Sequence, residues 1–311
     1  MAQSAWLFPG QGSQFVGMGK DLVEKFREAA GVFQEAERVL GFDLARICFE
    51  GPEDRLRETR FTQVAILTHS TSILRVIEGK APRPASVAGH SVGEYAALVA
   101  AGSLSFEAAL RLVSTRAQAM NAASLARPGA MAAIMGMPEE NLEPLLAEGS
   151  KAGVVRAANY NSPVQIVVSG DREAVEAAVR AAPSFGAKRA VGLKVSGAFH
   201  SPLMETAAAE LTRALRSTHF EPAAIPVVSN VTGMPAREPG EIAALLERQL
   251  TSAVMWTQSI RYMADAGVTS FVEVGPGNVL SGLVKRISPE AECVSLSDAK
   301  SVEAFLQGAK T

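Results

Sequence analysis

A chain of 311 residues, 48% hydrophobic and 20% charged, is long enough to bury one large core with a smaller satellite and too apolar to stay disordered. A net charge of −2 gives no global attraction for nucleic acid or an anionic membrane, so any basic docking surface must be local. Residues 1–8 lack the basic start and length of a signal peptide, and no apolar run approaches the ~18 residues of a membrane span. Cys48 and Cys293 stand far apart, with no Cys-x-x-Cys and no pair of histidines nearby. The expectation is a cytoplasmic enzyme with reduced thiols and no metal site.

In chain order, residues 5–8 form a short apolar strand that stops at Pro9-Gly10 and enters a glycine-rich loop. A helix is predicted over 21–40, with Leu22, Phe26, Phe33, Ala36 and Leu40 near one face, and a second over 61–78, closed by Gly79. Residues 84–88 read as a strand, 89–93 as a sharp turn, 94–101 as a helix and 105–123 as another. Mostly apolar strands alternating with helices indicate a parallel α/β core. From Pro128-Gly129 the pattern changes to strand 130–135, helix 139–148, strands 153–160 and 165–169, helix 172–181 and strand 188–195. That βαββαβ order is the ferredoxin-like arrangement. After Ser196-Gly197 long helices and buried strands return (helix 205–217, strand 225–230, helix 241–250, strand 270–274, helix 278–286), so the small unit is read as an insertion into the large one.

The chemistry centres on Gly89-His90-Ser91-Val92-Gly93. An apolar strand runs into this G-x-S-x-G pentapeptide and a helix leaves it, the context of a nucleophile elbow. The first amides of that helix would favour a developing oxyanion at Ser91. Among four histidines, His69 lies within a helix, His90 inside the elbow and His219 beside Phe220. His200 sits in a loop at the return to the large unit, where a cleft would form, and is the base by elimination. Arg116, with Met120 one turn further on, is either a surface residue or, if it faces the cleft, a planar fork suited to a carboxylate. The loop 8–14 fails as a phosphate loop, because Phe15 stands where the third glycine of GxGxxG belongs. A backbone N–H donor completing an oxyanion hole suits it better.

These motifs resemble the malonyl-CoA:acyl carrier protein transacylase family of type-II fatty acid synthesis. The likeness is carried by FPGQGSQ (8–14), FTQ (61–63), AGHSVGEYAALVAAG (88–102), the Arg116/Met120 pair, NYNSP (159–163), GAFHSPLM (197–204), RQL (248–250) and VEVGPG (272–277). The resemblance implies Ser91 as nucleophile, His200 as base and the backbone N–H groups of Gln11 and Val92 as oxyanion donors. It implies a main-chain carbonyl at or next to Gln249 as the group orienting the base, and a substrate pocket built from Arg116, Gln63, Met120 and Phe199. The implied fold is an α/β-hydrolase-like core (1–126 and 197–311) with an inserted ferredoxin-like subdomain (127–196). Its substrates would be malonyl-CoA and acyl carrier protein bearing a phosphopantetheine arm, with no bound cofactor, coenzyme A entering only as the thioester, and no nucleic acid or membrane partner. Fatty acid biosynthesis is the leading role. A stand-alone malonyltransferase of a polyketide synthase would look nearly identical, and a serine thioesterase would need an uncharged pocket and an acidic third residue. His200 should make acylation rise with pH through an apparent pKa near ~6.5, moved by burial if the loop is closed. Lys188, Arg189 and Lys194, with Lys285 and Arg286, are candidates for a carrier-docking patch.

Overall fold

Ten strands form two separate sheets in the computed structural model, which describes residues 3–308. Residues 1–2 and 309–311, assigned above to the large domain, lie outside the described residues. The strands are Gln3–Phe8 (β1), Ser86–Gly89 (β2), Gly129–Met135 (β3), Val155–Ser162 (β4), Gln165–Asp171 (β5), Arg189–Gly192 (β6), Val227–Val228 (β7), Pro235–Ala236 (β8), Val268–Val274 (β9) and Glu292–Leu296 (β10). The larger sheet runs β10-β9-β1-β2-β7-β8, parallel throughout except for β8, which returns antiparallel to β7. The result is a mixed α/β fold built on a mainly parallel sheet.

β1 is apolar at successive positions because both faces of this sheet are covered. Trp6 and Phe8 join one hydrophobic cluster, Ala5 and Leu7 the other. From β1 the chain adds β2 and β7 on one side, then β9 and β10 on the other. Loops leaving the carboxyl ends of β1, β2 and β7 therefore gather where the strand order reverses, the usual place for a ligand crevice.

The smaller sheet is antiparallel, in the order β4-β5-β3-β6. Ala132, Ile134 and Val168 face the helices Leu142–Gly149 and Arg172–Ala181, whereas Met131, Ala133 and Val167 turn toward the main core. Period-2 alternation thus puts one face of this sheet over the crevice. Register shifts in β4 between Ala157 and Asn159, and between Tyr160 and Ser162, mark irregular pairing beside the site. Val254 exchanges backbone hydrogen bonds with Ala158 and Tyr160, tying β4 to the segment after the helix Pro239–Gln249.

Several elements differ from the sequence reading. The helix expected over 21–40 is two helices, Lys20–Lys25 and Arg27–Leu40, because Phe26 adopts an extended conformation (φ −120°, ψ 120°) between them. The strand expected over 225–230 pairs only at Val227–Val228, and Asn230 beyond it uses its side chain instead. The helix Trp256–Asp265, strand β10 and the helix Ala299–Gly308 went unread, each too short to declare its period. No helix among the described residues is long and apolar enough to cross a membrane.

Candidate active site

The pentapeptide at the end of β2 turns so tightly that its glycines are required. A Cβ on Gly89 would lie 2.0 Å from the Gly93 carbonyl carbon, and one on Gly93 would lie 2.1 Å from the Phe8 carbonyl oxygen. Ser91 takes a left-handed backbone, φ 52°, and His200 does the same, φ 56°; among the described residues no other non-glycine residue has positive φ. Such conformations cost about 1–3 kcal/mol each and persist where the surroundings impose them.

His200 Nε2 lies 2.8 Å from Ser91 Oγ. Its Nδ1 faces two main-chain carbonyls, Gln249 O at 3.0 Å and Ser252 O at 3.2 Å. Carbonyls only accept, so Nδ1 carries the hydrogen and Nε2 presents a lone pair to the Ser91 hydroxyl. The sequence reading expected a carbonyl at or next to Gln249; the structure places two within reach. Neither is a carboxylate.

Arg116 is fully buried in the helix Phe106–Ala126 and reaches the same oxygen, Nη2 donating to Ser91 Oγ at 3.0 Å. Of the alternatives the sequence left open, the surface one is excluded. Arg116 also donates to Gln63 Oε1 and, at 3.0 Å, to Gln249 Oε1. Its hydrogen-bond partners are thus neutral oxygens on side chains that hold it toward the nucleophile. Gln63 Nε2 in turn donates to the Met120 sulfur at 3.3 Å, which sets that amide with its oxygen toward the guanidinium. Gln63 and Met120 line the crevice and also buttress Arg116, a role their spacing did not disclose.

The crevice measures about 210 Å³ and lies between the two sheets, with Phe199, Met131 and Val167 among its apolar walls and Gln11, Ser91 and Val92 also lining it. The Gln11 side chain is drawn off to Thr59. The five basic residues named as docking candidates are exposed.

Of the other three histidines, His69 is buried in the helix Thr59–Ile77, and His90 lines the crevice without being the base. His90 bonds Asn161 at 2.9 Å and packs on Trp256, and His219 pairs with Glu221 at the surface. Sequence reasoning missed Asn230, which accepts from Ser91 N–H and donates to Gly89 O, both at 2.6 Å. It also missed Glu94, buried behind Gln249. Signals existed: Asn230 closes a predicted strand at its carboxyl end, and Glu94 is the one acid in an otherwise apolar helix.

Burial, reinforced by the Arg116 charge, pushes His200 down to about 3, against the pull of the Gln249 and Ser252 carbonyls. The imidazole is therefore neutral throughout pH 5–8, well below the titration expected near ~6.5. A base with the ordinary value would lose its proton progressively from pH 5 to 8 and raise the rate about 30-fold. Phosphonylation of Ser91 by an uncharged fluorophosphonate should instead stay within about twofold over that range. A rise approaching 30-fold would show that His200 titrates near 6.5.

Residues 5–303 match the family model described as acyl transferase domain. The chain is 44% identical over 311 residues to the malonyl CoA-acyl carrier protein transacylase of Bacillus subtilis, covering 100% of this chain and 98% of that one. Its fold matches the acyl-carrier-protein-S-malonyltransferase of Bartonella henselae with a TM-score of 0.95, at 39% identity over 99% of this chain and 100% of that one. It also matches PlMCAT in the complex PlMCAT:AntF, a malonyl-transacylase with its type II PKS acyl-carrier protein, with a TM-score of 0.95, at 40% identity over 99% of this chain and 100% of that one.

Proposed function

This chain belongs to the acyl transferase domain family, and on that premise we propose that it moves the malonyl group of malonyl-CoA to the phosphopantetheine thiol of acyl carrier protein through an ester on Ser91. The observation that carries the proposal is the double contact on one oxygen: Ser91 Oγ faces the neutral His200 Nε2 and the buried Arg116 guanidinium.

In the first half-reaction the Ser91 proton passes to His200 Nε2 as Oγ bonds to the thioester carbon. Gln11 and Val92 N–H groups hold the tetrahedral oxyanion. Collapse breaks the carbon–sulfur bond, and His200 returns the proton to the leaving thiolate of coenzyme A. In the second, the carrier thiol gives its proton to His200, its sulfur attacks the ester, and collapse restores the Ser91 hydroxyl. Coenzyme A is a substrate component, and the chemistry needs no resident cofactor.

Arg116 has two effects in this scheme. It pairs with the malonyl carboxylate, and until that carboxylate arrives its charge adds to the burial that depresses His200. Malonyl binding therefore returns to His200 the part of its basicity that the Arg116 charge removes, while the larger effect of burial stays. A neutral acyl group leaves the cation unpaired in a dry site, at a cost of roughly 2–5 kcal/mol.

The fold reading belongs to the same proposal. Of the span 1–126 and 197–311, the described residues 3–126 and 197–308 form an α/β-hydrolase-like core, and residues 127–196 form an inserted ferredoxin-like subdomain, a reading supported by the β4-β5-β3-β6 order. A thioesterase is disfavoured because His200 is oriented by carbonyls and the pocket holds a cation. A polyketide carrier is the second acceptor class, favoured by the likeness to PlMCAT.

Incubation with malonyl-CoA and no acceptor should leave one malonyl ester on the peptide containing Ser91, detected by mass spectrometry. A chase with fatty-acid or polyketide carrier protein then ranks the acceptors. Label on another residue, or none, rejects the covalent route.

A further inference from the structure

Behind the reacting groups lies a carboxylate that touches none of them. Glu94, in the first turn of the helix Gly93–Ala100, is buried and accepts a 2.6 Å hydrogen bond from Gln249 Nε2. The same Nε2 donates to the Ser91 carbonyl at 3.1 Å, and Gln249 Oε1 accepts from Arg116 Nη2 at 3.0 Å. Both Glu94 oxygens also face the Asn230 backbone N–H at 3.4 Å, and the Asn230 side chain holds the Ser91 N–H. The two peptide groups flanking the strained Ser91 are thus gripped by two amide side chains whose residues both bond to one carboxylate.

We infer that Glu94 is a positioning residue whose acceptor-only carboxylate dictates which way the Gln249 amide faces, and that it thereby holds the Arg116 guanidinium in the geometry that selects a carboxylate-bearing acyl group. The inference rests on the reading of Arg116 given above. An amide can face either way unless its neighbours discriminate oxygen from nitrogen. Here an ionised carboxylate and the Ser91 carbonyl demand the NH₂ on one side, and the guanidinium demands the oxygen on the other. With the amide reversed, a donor would meet the Arg116 donor, and the Ser91 carbonyl would keep only the Glu94 backbone N–H at 3.1 Å as its donor. The groups around Glu94 are Gln249, Asn230 and Ser229, with Arg116 as the nearby cation and Tyr95 beside it. Burial pushes the Glu94 carboxyl up to about 7, while the bonds from Gln249, Asn230 and Ser229 and the Arg116 charge pull it back. Above neutral pH it is the acceptor-only anion that the inference requires.

The test compares kcat/KM for acylation by malonyl-CoA and by acetyl-CoA at pH 8 in the intact protein, Glu94→Gln, Glu94→Asp, Arg116→Ala and the double variant Glu94→Gln/Arg116→Ala. Glutamine has the shape of glutamate but can donate and carries no charge, so it leaves only the Ser91 carbonyl and the guanidinium to orient the Gln249 amide; aspartate is shorter but accepts only. The malonyl-to-acetyl ratio should fall about tenfold or more in Glu94→Gln, as expected for losing a hydrogen bond to a charged group. Glu94→Asp should keep more of the ratio than Glu94→Gln. The double variant should match Arg116→Ala alone, because Glu94 acts through the arginine. A wild-type ratio in Glu94→Gln, with Arg116→Ala still lowering it, would reduce Glu94 to packing and leave the Arg116 reading intact. So would a poorer ratio in the aspartate variant, which a packing role predicts. An unchanged ratio in Arg116→Ala would remove that reading and this inference together. If thermal melting shows Glu94→Gln unfolded, Gln249→Met interrupts the same link: its ratio must fall likewise, and an unchanged one overturns the inference.

Discussion

Replacing His200 with alanine should slow acylation of Ser91 by malonyl-CoA about 10²–10⁴-fold, the usual range for losing a positioned base. The size follows from what else can take the proton. Ser91 Oγ has two side-chain neighbours, His200 Nε2 at 2.8 Å and Arg116 Nη2 at 3.0 Å, and a guanidinium cannot accept. The buried acid Glu94 stands behind the Gln249 amide and does not touch Ser91 Oγ. Alanine at a position with φ 56° is also strained by roughly 1–2 kcal/mol, so the loss must be separated from misfolding. His200→Asn is the control, since asparagine tolerates the left-handed region and still removes the base. Single-turnover acylation with melting curves for both variants decides it. A loss below tenfold in a folded variant would mean that another group removes the proton.

Arg116→Ala should lower the malonyl-to-acetyl ratio of kcat/KM by about 10²-fold, within the several kcal/mol that a paired buried guanidinium contributes. The two halves of the ratio move for different reasons. Malonyl acylation falls because its carboxylate enters a dry crevice with no cation to meet. Acetyl acylation should hold or rise, because the charge that adds to burial in depressing His200 is gone and no desolvated guanidinium is left without a substrate carboxylate. Arg116→Lys should recover only part of the ratio. It keeps a charge but not the planar fork that reaches Gln63, Gln249 and Ser91 together. Because Arg116 is among the largest fully buried side chains, Arg116→Met serves as a volume-preserving control. An unchanged ratio in both uncharged variants would make the arginine structural and the carboxylate pocket wrong.

Local sequence was enough for features whose cause is local. An apolar strand running into Gly-x-Ser-x-Gly predicts a tight elbow because no side chain fits at Gly89 or Gly93, and the backbone there meets Phe8 and its own helix as that argument requires. The mainly parallel sheet followed from strands apolar at successive positions, which is what burial on both faces demands. His200 could be singled out because only four histidines exist and three had other settings. Arg116 could not be placed that way. One turn of helix puts an arginine toward solvent or toward a crevice with equal ease, and only packing against the helix Thr59–Ile77 turned it inward to Gln63. The support around Ser91 was still less legible. Asn230, Gln249 and Glu94 are joined by bonds that span 139, 158 and 155 positions of chain. Such contacts exist only once β7 has docked beside β2 and the helix Pro239–Gln249 has closed over the elbow. The direction in which the Gln249 amide faces is decided later still, by an anion on one side and a cation on the other. Sequence spacing carries backbone sterics and hydrophobic period, which act over a few residues; the orientation of a buried amide depends on charges that only the finished fold brings to either side of it.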